Sequence, residues 1–224
     1  TRNTIEKISV DASASSSQKK QDGNYFDSFI GLDFFYDKRN QKYQTTSGFF
    51  SAYNVSVPIL SDTNTLTNNY NYKIFKELYE NNISSLAFSF KSANSLSGDD
   101  VKLSERLYIS GKKLRGFESG KIGPKDGSDF IGGNYVSSIN ATTTIPMILE
   151  NVQNVDIVMF ADAANIWGVD YNSSLDNSGI RSSVGIGLDW LTQIGPLTFS
   201  FAHPITKEPT DIEETFRFNI GTSF

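Results

Sequence analysis

Cysteine is absent from the 224 residues, and histidine occurs once, at His203. The first absence excludes disulfides, zinc ribbons, iron–sulfur ligation and a thiol nucleophile, and leaves the redox compartment unreadable from thiols. The second argues against His-built metal sites and a Ser–His–Asp triad. No catalytic residue, metal ligand or cofactor is therefore expected. Basic charge is also short: 20 Lys plus Arg stand against 25 Asp plus Glu, giving a formal net charge of −5. An acidic chain without long basic runs is a poor nucleic-acid binder. Nor does any stretch approach the roughly 18 apolar residues that a membrane helix needs. No signal peptide opens the chain, which begins at Thr1 rather than Met, so it reads as a mature chain or a piece cut from a longer one.

What is present is aromatic and alternating. The hydrophobic fraction is only 38%, low for one large dry core, yet 17 Phe and 10 Tyr are included in it. Apolar residues recur with period two rather than a helical period. Phe216, Phe218, Ile220, Thr222 and Phe224 share one face, with Arg217, Asn219, Gly221 and Ser223 on the other. Leu197, Phe199 and Phe201 oppose Thr198, Ser200 and Ala202, while Val184, Ile186, Leu188 and Trp190 alternate with Gly185, Gly187 and Asp189. Further faces are Ile30-Leu32-Phe34-Tyr36, Phe49-Ser51-Tyr53-Val55-Val57, Tyr70-Tyr72-Ile74, Leu86-Phe88-Phe90 and Tyr135-Ile139-Ala141-Ile145. Residues 155–164 are apolar on both sides, with Asp156 and Asp162 assigned to the inner one, and a weaker strand is expected from Ile8 to Ala14. The fold class is all-β, an antiparallel sheet of about nine to ten strands. Residues 94–133, rich in Gly, Ser, Lys and Asp, form a loop of a length that is uncommon unless it is functional or disordered.

Two architectures fit. A soluble sandwich, for instance a carbohydrate-binding one, buries one face of each strand, whereas a transmembrane barrel turns the apolar face to lipid and the polar face to a lumen. Small polar inward sets suit a wet lumen. Tyr36, Tyr53, Trp167, Trp190 and Phe224 are expected near strand ends, where interfacial aromatic girdles sit. The alternation also runs to Phe224 at the very end. The pattern favours the barrel.

Within the long loop, Leu114-Arg115-Gly116-Phe117 is followed by Ile122-Gly123-Pro124 and then by Gly132-Gly133-Asn134. This ordered trio resembles the BamA family of outer-membrane assembly insertases. The likeness extends to Phe160-Ala161-Asp162 ending at Trp167, to Gly185 through Trp190 followed by Ile194-Gly195-Pro196-Leu197, to the closing segment from Phe216 to Phe224, and to a turn at Asp37-Lys38-Arg39-Asn40 with Thr46-Ser47-Gly48.

The resemblance implies that residues 1–224 are the C-terminal part of a barrel of about sixteen strands. The first strands and the periplasmic POTRA domains would lie outside this sequence. It implies a bacterial outer-membrane location, lipid and lipopolysaccharide around the barrel, unfolded outer-membrane proteins as clients, accessory lipoproteins reached through POTRA domains, and no nucleotide. It also implies that Arg115 reaches the inner wall and meets Phe160 and Asp162, with Gly116 permitting the turn and Phe117 anchoring the tip. A further family acid aligns with Thr142, which cannot balance charge, and the double glycine before the motif is Ser110-Gly111 here. Weak pairing of the last strand would let the barrel open sideways, with Gly221 loosening it and Phe224 as the interfacial anchor. A two-partner-type secretion pore and a passive porin-like barrel are the alternatives.

Overall fold

The structure, a computed structural model, describes residues 1–145, 154–193 and 195–221. Ten strands form one antiparallel sheet. In chain order they are β1 (Arg2–Ile8), β2 (Gly23–Asp37), β3 (Gly48–Ser61), β4 (Thr65–Tyr79) and β5 (Asn82–Ser95), and later β9 (Tyr135–Thr144), β10 (Val155–Trp167), β11 (Arg181–Thr192), β12 (Gly195–Thr206) and β14 (Phe216–Ile220). Between β5 and β9 the long loop carries β6 (Gly116–Phe117), β7 (Lys125–Asp126) and β8 (Asp129–Phe130); β13 (Glu213–Glu214) precedes β14. Apart from the four-residue helix α1 (Ser16–Lys19) and two 3₁₀ turns, no other helix is present among the described residues, and none is long and apolar enough to cross a membrane.

Strand neighbours follow chain order from β1 to β14, with β5 joined directly to β9 across the long loop. Up-and-down order requires only short hairpins on one side and longer loops on the other. Residues 80–81 make a tight turn at one end of the sheet, while the other end carries the tight turn 62–64 together with the longer connections 168–180 and 207–215. The sheet is open among the described residues, with β1 and β14 at its edges.

The alternation resolves into two chemically different faces. Leu32, Phe34, Ile74, Leu86, Ile139, Met159, Ile186, Phe201, Phe218 and Ile220 all point outward and are exposed. Cross-strand aromatic pairs such as Phe199–Phe218 at 4.8 Å and Phe201–Phe216 at 4.9 Å tile this face. Among the described residues no second sheet covers it: the two other ladders there are the two-stranded pieces β13–β6 and β7–β8. A sandwich would bury this band; a lipid-facing sheet exposes it. The soluble sandwich is thereby set aside.

Four expectations are revised. The strand expected at Ile8–Ala14 is displaced to Arg2–Ile8, because Asp11 accepts bonds from the Ser13 amide at 2.8 Å and its hydroxyl at 2.6 Å, closing a turn where extension was expected. Tyr53 sits inside β3, opposite Phe34 and Tyr70, rather than at a strand end. Among the described residues the last strand runs to Ile220, and Gly221, with φ +98°, bends the chain, although its N–H still donates to the Pro196 carbonyl at 2.8 Å. Ile194, Thr222, Ser223 and Phe224 lie outside the described residues.

The fourth revision concerns the lumen. Ile109, Leu114, Phe117 and Ile122 of the loop pack with Val136 of β9 and with Ala164 and Ile166 of β10 into the buried apolar cluster of the molecule. Part of the inner side of the sheet is dry, because the loop brings its own apolar side chains to a wall whose composition alone suggested water.

Candidate functional site

The loop enters the inner side of the sheet through ordered contacts on both flanks. On its N-terminal side, Lys102 is buried against Asp27 of β2 at 2.7 Å and Glu6 of β1 at 3.0 Å. Arg106 pairs with Asp170 and lies 4.9 Å from the centre of the Tyr171 ring. Asp170 also accepts from the Val101 amide at 2.7 Å and from Asn134 at 2.9 Å. Burial works to raise the Asp170 carboxyl; the Val101 and Asn134 hydrogen bonds and the Arg106 charge outweigh it and hold the group below the usual 3.8.

At the tip, Arg115 forks onto Asp162 of β10. Its Nε and Nη2 each donate to one carboxylate oxygen at 2.7 Å, and its backbone N–H adds a third bond at 3.1 Å. The Asp162 side chain is wholly enclosed and that of Arg115 is 14% exposed. The guanidinium carbon stands 3.4 Å from the centre of the Phe160 ring. Phe160 and Asp162 share strand parity, so one wall presents a planar aromatic face and a two-oxygen acceptor together, the combination that a planar cation can satisfy simultaneously. Thr142, opposite Phe160 on β9, accepts from Arg115 Nη2 at 3.5 Å, a marginal bond.

Gly116 follows with φ +92°, a backbone conformation that side chains avoid, and an added methyl would press on the Cβ atoms of Ser183 and Ala202 at 3.3 Å each. Phe117 is 1% exposed and belongs to the apolar cluster with Leu114 and Ile122. The Gly123 amide donates to Asp211 at 3.3 Å, and Pro124 is fully buried. The loop motif and its expected wall are thus in contact. Of the segment proposed as a gate, Phe216, Phe218 and Ile220 form the outward face of β14, away from the loop.

Several participants were not singled out from the sequence. Asn140 of β9 donates to both Asp162 at 2.8 Å and the Lys113 carbonyl at 2.8 Å, and Ser183 of β11 donates to the Arg115 carbonyl at 2.5 Å. The inward parity of Asn140 was the available signal. Arg181 of β11 and Asp211 of the last loop form a second bidentate pair, both side chains fully enclosed, with bonds of 2.9 and 3.1 Å. Asp211 bonds to the Gly123 amide as well, so this pair clamps the Ile122-Gly123-Pro124 turn. Nothing local in either sequence stretch marks it. Among the described residues, no group of His, Cys, Asp and Glu could hold a metal ion.

Comparison with known proteins gives one consistent result. The Omp85 superfamily domain profile matches residues 1–224. The outer membrane protein assembly factor BamA of Neisseria meningitidis serogroup B is 30% identical over 154 residues, which cover 56% of this chain and 19% of that protein. The BamA of Nitratidesulfovibrio vulgaris is 25% identical over 227 residues, covering 96% of this chain and 28% of the relative. The crystal structure of BamA from Haemophilus ducreyi lacking POTRA domains 1–3 superposes with a TM-score of 0.80 at 26% identity, over 87% of this chain and 42% of that one. The chain therefore spans less than a third of the length of these two curated relatives.

Proposed function

The chain belongs to the Omp85 superfamily, and from that premise we propose that the protein it forms part of assembles β-barrel proteins into the bacterial outer membrane. The carrying observation is the docked loop: a bidentate, aromatic-backed Arg115–Asp162 contact on the inner wall. That contact seats on the inner wall the loop motif that resembles the assembly factors, which supports the assembly reading over a passive pore. The work is noncatalytic in this reading: no nucleotide and no metal take part, and free energy comes from the client's own strand pairing and apolar burial in lipid.

In this role Leu114, Phe117 and Ile122 seat the loop, Arg115 locks it to Asp162 and Phe160, Thr142 adds a weak acceptor, and Gly123 and Pro124 set the return turn. When the barrel opens sideways, β14 would offer an edge to which a client strand adds by main-chain hydrogen bonds. Phe216, Phe218 and Ile220 keep that strand at lipid depth, and Gly221 bends the chain just after it. Clients are unfolded outer-membrane proteins; outer-membrane lipid and lipopolysaccharide surround the barrel, and accessory lipoproteins act through POTRA domains.

The test is client-barrel folding into liposomes by the full-length parent protein, comparing wild type with Arg115→Ala and Asp162→Ala. Both single variants are expected to slow folding, and exchanging the two charges is expected to recover part of it. Unchanged client folding with an intact barrel would overturn the role of the loop and point to a secretion or passive pore.

A further inference from the structure

The contacts that continue beyond the Arg115 lock lead to the edge of the sheet. Gly116 and Phe117 do not end in solvent; as β6 they pair with Glu213 and Glu214, the two residues of β13. The ladder is prolonged by the Glu118 amide donating to the Ile212 carbonyl at 2.8 Å and by the Ile212 amide donating to the Lys121 carbonyl at 3.0 Å. One residue separates β13 from β14. The second residue of β14 is Arg217, whose side chain turns inward. Its Nη2 donates to the Phe117 carbonyl at 3.0 Å and also pairs with Glu214. The guanidinium fills the place that a side chain at residue 111 would need: a methyl on Gly111 would overlap it. Arg217 is therefore held between two points of the loop, Gly111 before the motif and Phe117 at its end, while its own backbone belongs to the edge strand.

Among the described residues β14 spans Phe216–Ile220 and pairs with β12 from Leu197↔Ile220 to Phe201↔Phe216. We infer that Arg217 is a positioning residue that couples the docked state of the Arg115 loop to the pairing of β14, so that release of the loop loosens the edge to which client strands add; the purpose, though not the coupling, rests on the assembly reading. Arg217 does this with a charge-assisted bond to a main-chain carbonyl and a flat contact on a glycine, both of which are lost if the loop lifts. The Glu213–Glu214 ladder moves with it.

Hydrogen exchange on the full-length parent protein in liposomes tests the coupling. Arg115→Ala is expected to speed exchange of the amides of residues 216–220 about tenfold, the factor that a lost hydrogen bond to a charged group corresponds to. Residues 49–55 of β3, which make no hydrogen bond to the loop among the described residues, serve as the control for an intact barrel. Arg217→Met is expected to speed residues 216–220 by itself, and adding Arg115→Ala to it should then change them less than about twofold. Arg217→Lys, which keeps one donor for the Phe117 carbonyl, should restore part of the protection. If Arg115→Ala exposes the whole barrel, Gly111→Ala asks the same question by unseating the guanidinium alone, with the same acceleration expected. Unaltered exchange at 216–220, or accelerations that multiply independently in the double variant, would overturn the coupling. Client folding measured on the same samples separates the two claims: epistasis in exchange without any change in client folding keeps the coupling and removes its proposed purpose.

Discussion

Truncating one member of the Arg115–Asp162 pair should cost more than truncating both, per group removed. Arg115→Ala deletes two bonds of 2.7 Å and the contact with Phe160, and leaves the enclosed Asp162 carboxylate with only Asn140 and the amide of residue 115. Breaking a buried ion pair from one side costs about 3–5 kcal/mol. Because the Arg115 side chain is 14% exposed, the lower end, about 3 kcal/mol, is expected. Asp162→Ala strands the cation instead, which keeps its place over Phe160 and reaches water in part, for a cost of about 2 kcal/mol. In the double variant no charge is stranded, so its cost should be near 3 rather than the sum of 5, a coupling energy of about 2 kcal/mol. Urea titration of the full-length protein in detergent micelles, with an unchanged slope as the control for compactness, measures all three. Single costs that add in the double variant would refute the reasoning, since they would mean that the two groups do not interact.

Other outcomes follow from the same geometry. Asp211→Ala should destabilise by about 3–5 kcal/mol, since Arg181 would keep only carbonyl acceptors in a site with no water access; urea titration measures it, with Arg181→Met/Asp211→Leu expected to recover part. Gly116→Ala should cost about 1–3 kcal/mol through strain at φ +92° and slow client folding with it. Lowering the pH should free the N-terminal flank of the loop. The folded-state pKa of Asp170 is depressed, so its stabilising contribution is present above 3.8 and is lost as the pH falls through the lower folded value; Asp170→Asn should remove that pH dependence in an acid titration followed by proteolysis of the loop. Glu105 has the opposite sign: burial first, and neighbouring Asp27 with it, lift its carboxyl above 4.5 against bonds from Thr65 and the charge of Lys102. Its contribution is full below 4.5 and falls as the pH rises through the folded value, so Glu105→Gln should change stability more favourably at pH 7 than at pH 4, which thermal melts at the two pH values can read.

The sheet was legible because its signal is local. Side chains in a strand alternate with period two, so Phe216-Phe218-Ile220 and Phe160-Asp162 declare their faces without reference to any other segment. The loop trio was legible for a different reason: Leu114 through Phe117, Ile122 through Pro124 and Gly132 through Asn134 stand together in the order that carries the family resemblance. Where a side chain or a turn competes with extension, periodicity misled, as at Asp11, whose carboxylate captures Ser13 and ends β1 early.

By itself, then, the sequence determined the faces of the strands, the lipid-seeking aromatic exterior and the residues of the loop that carry chemistry. Only the tertiary structure decided what those residues meet. Arg181 finds Asp211, Arg217 finds the carbonyl of Phe117, and Ile109 and Leu114 turn a lumen wall into a dry core, each across a separation in sequence that no local pattern encodes. The physical reason is that a hydrogen bond to a buried charge depends on which distant backbone arrives within about 3 Å of it, and that is settled by how the sheet and the loop pack together.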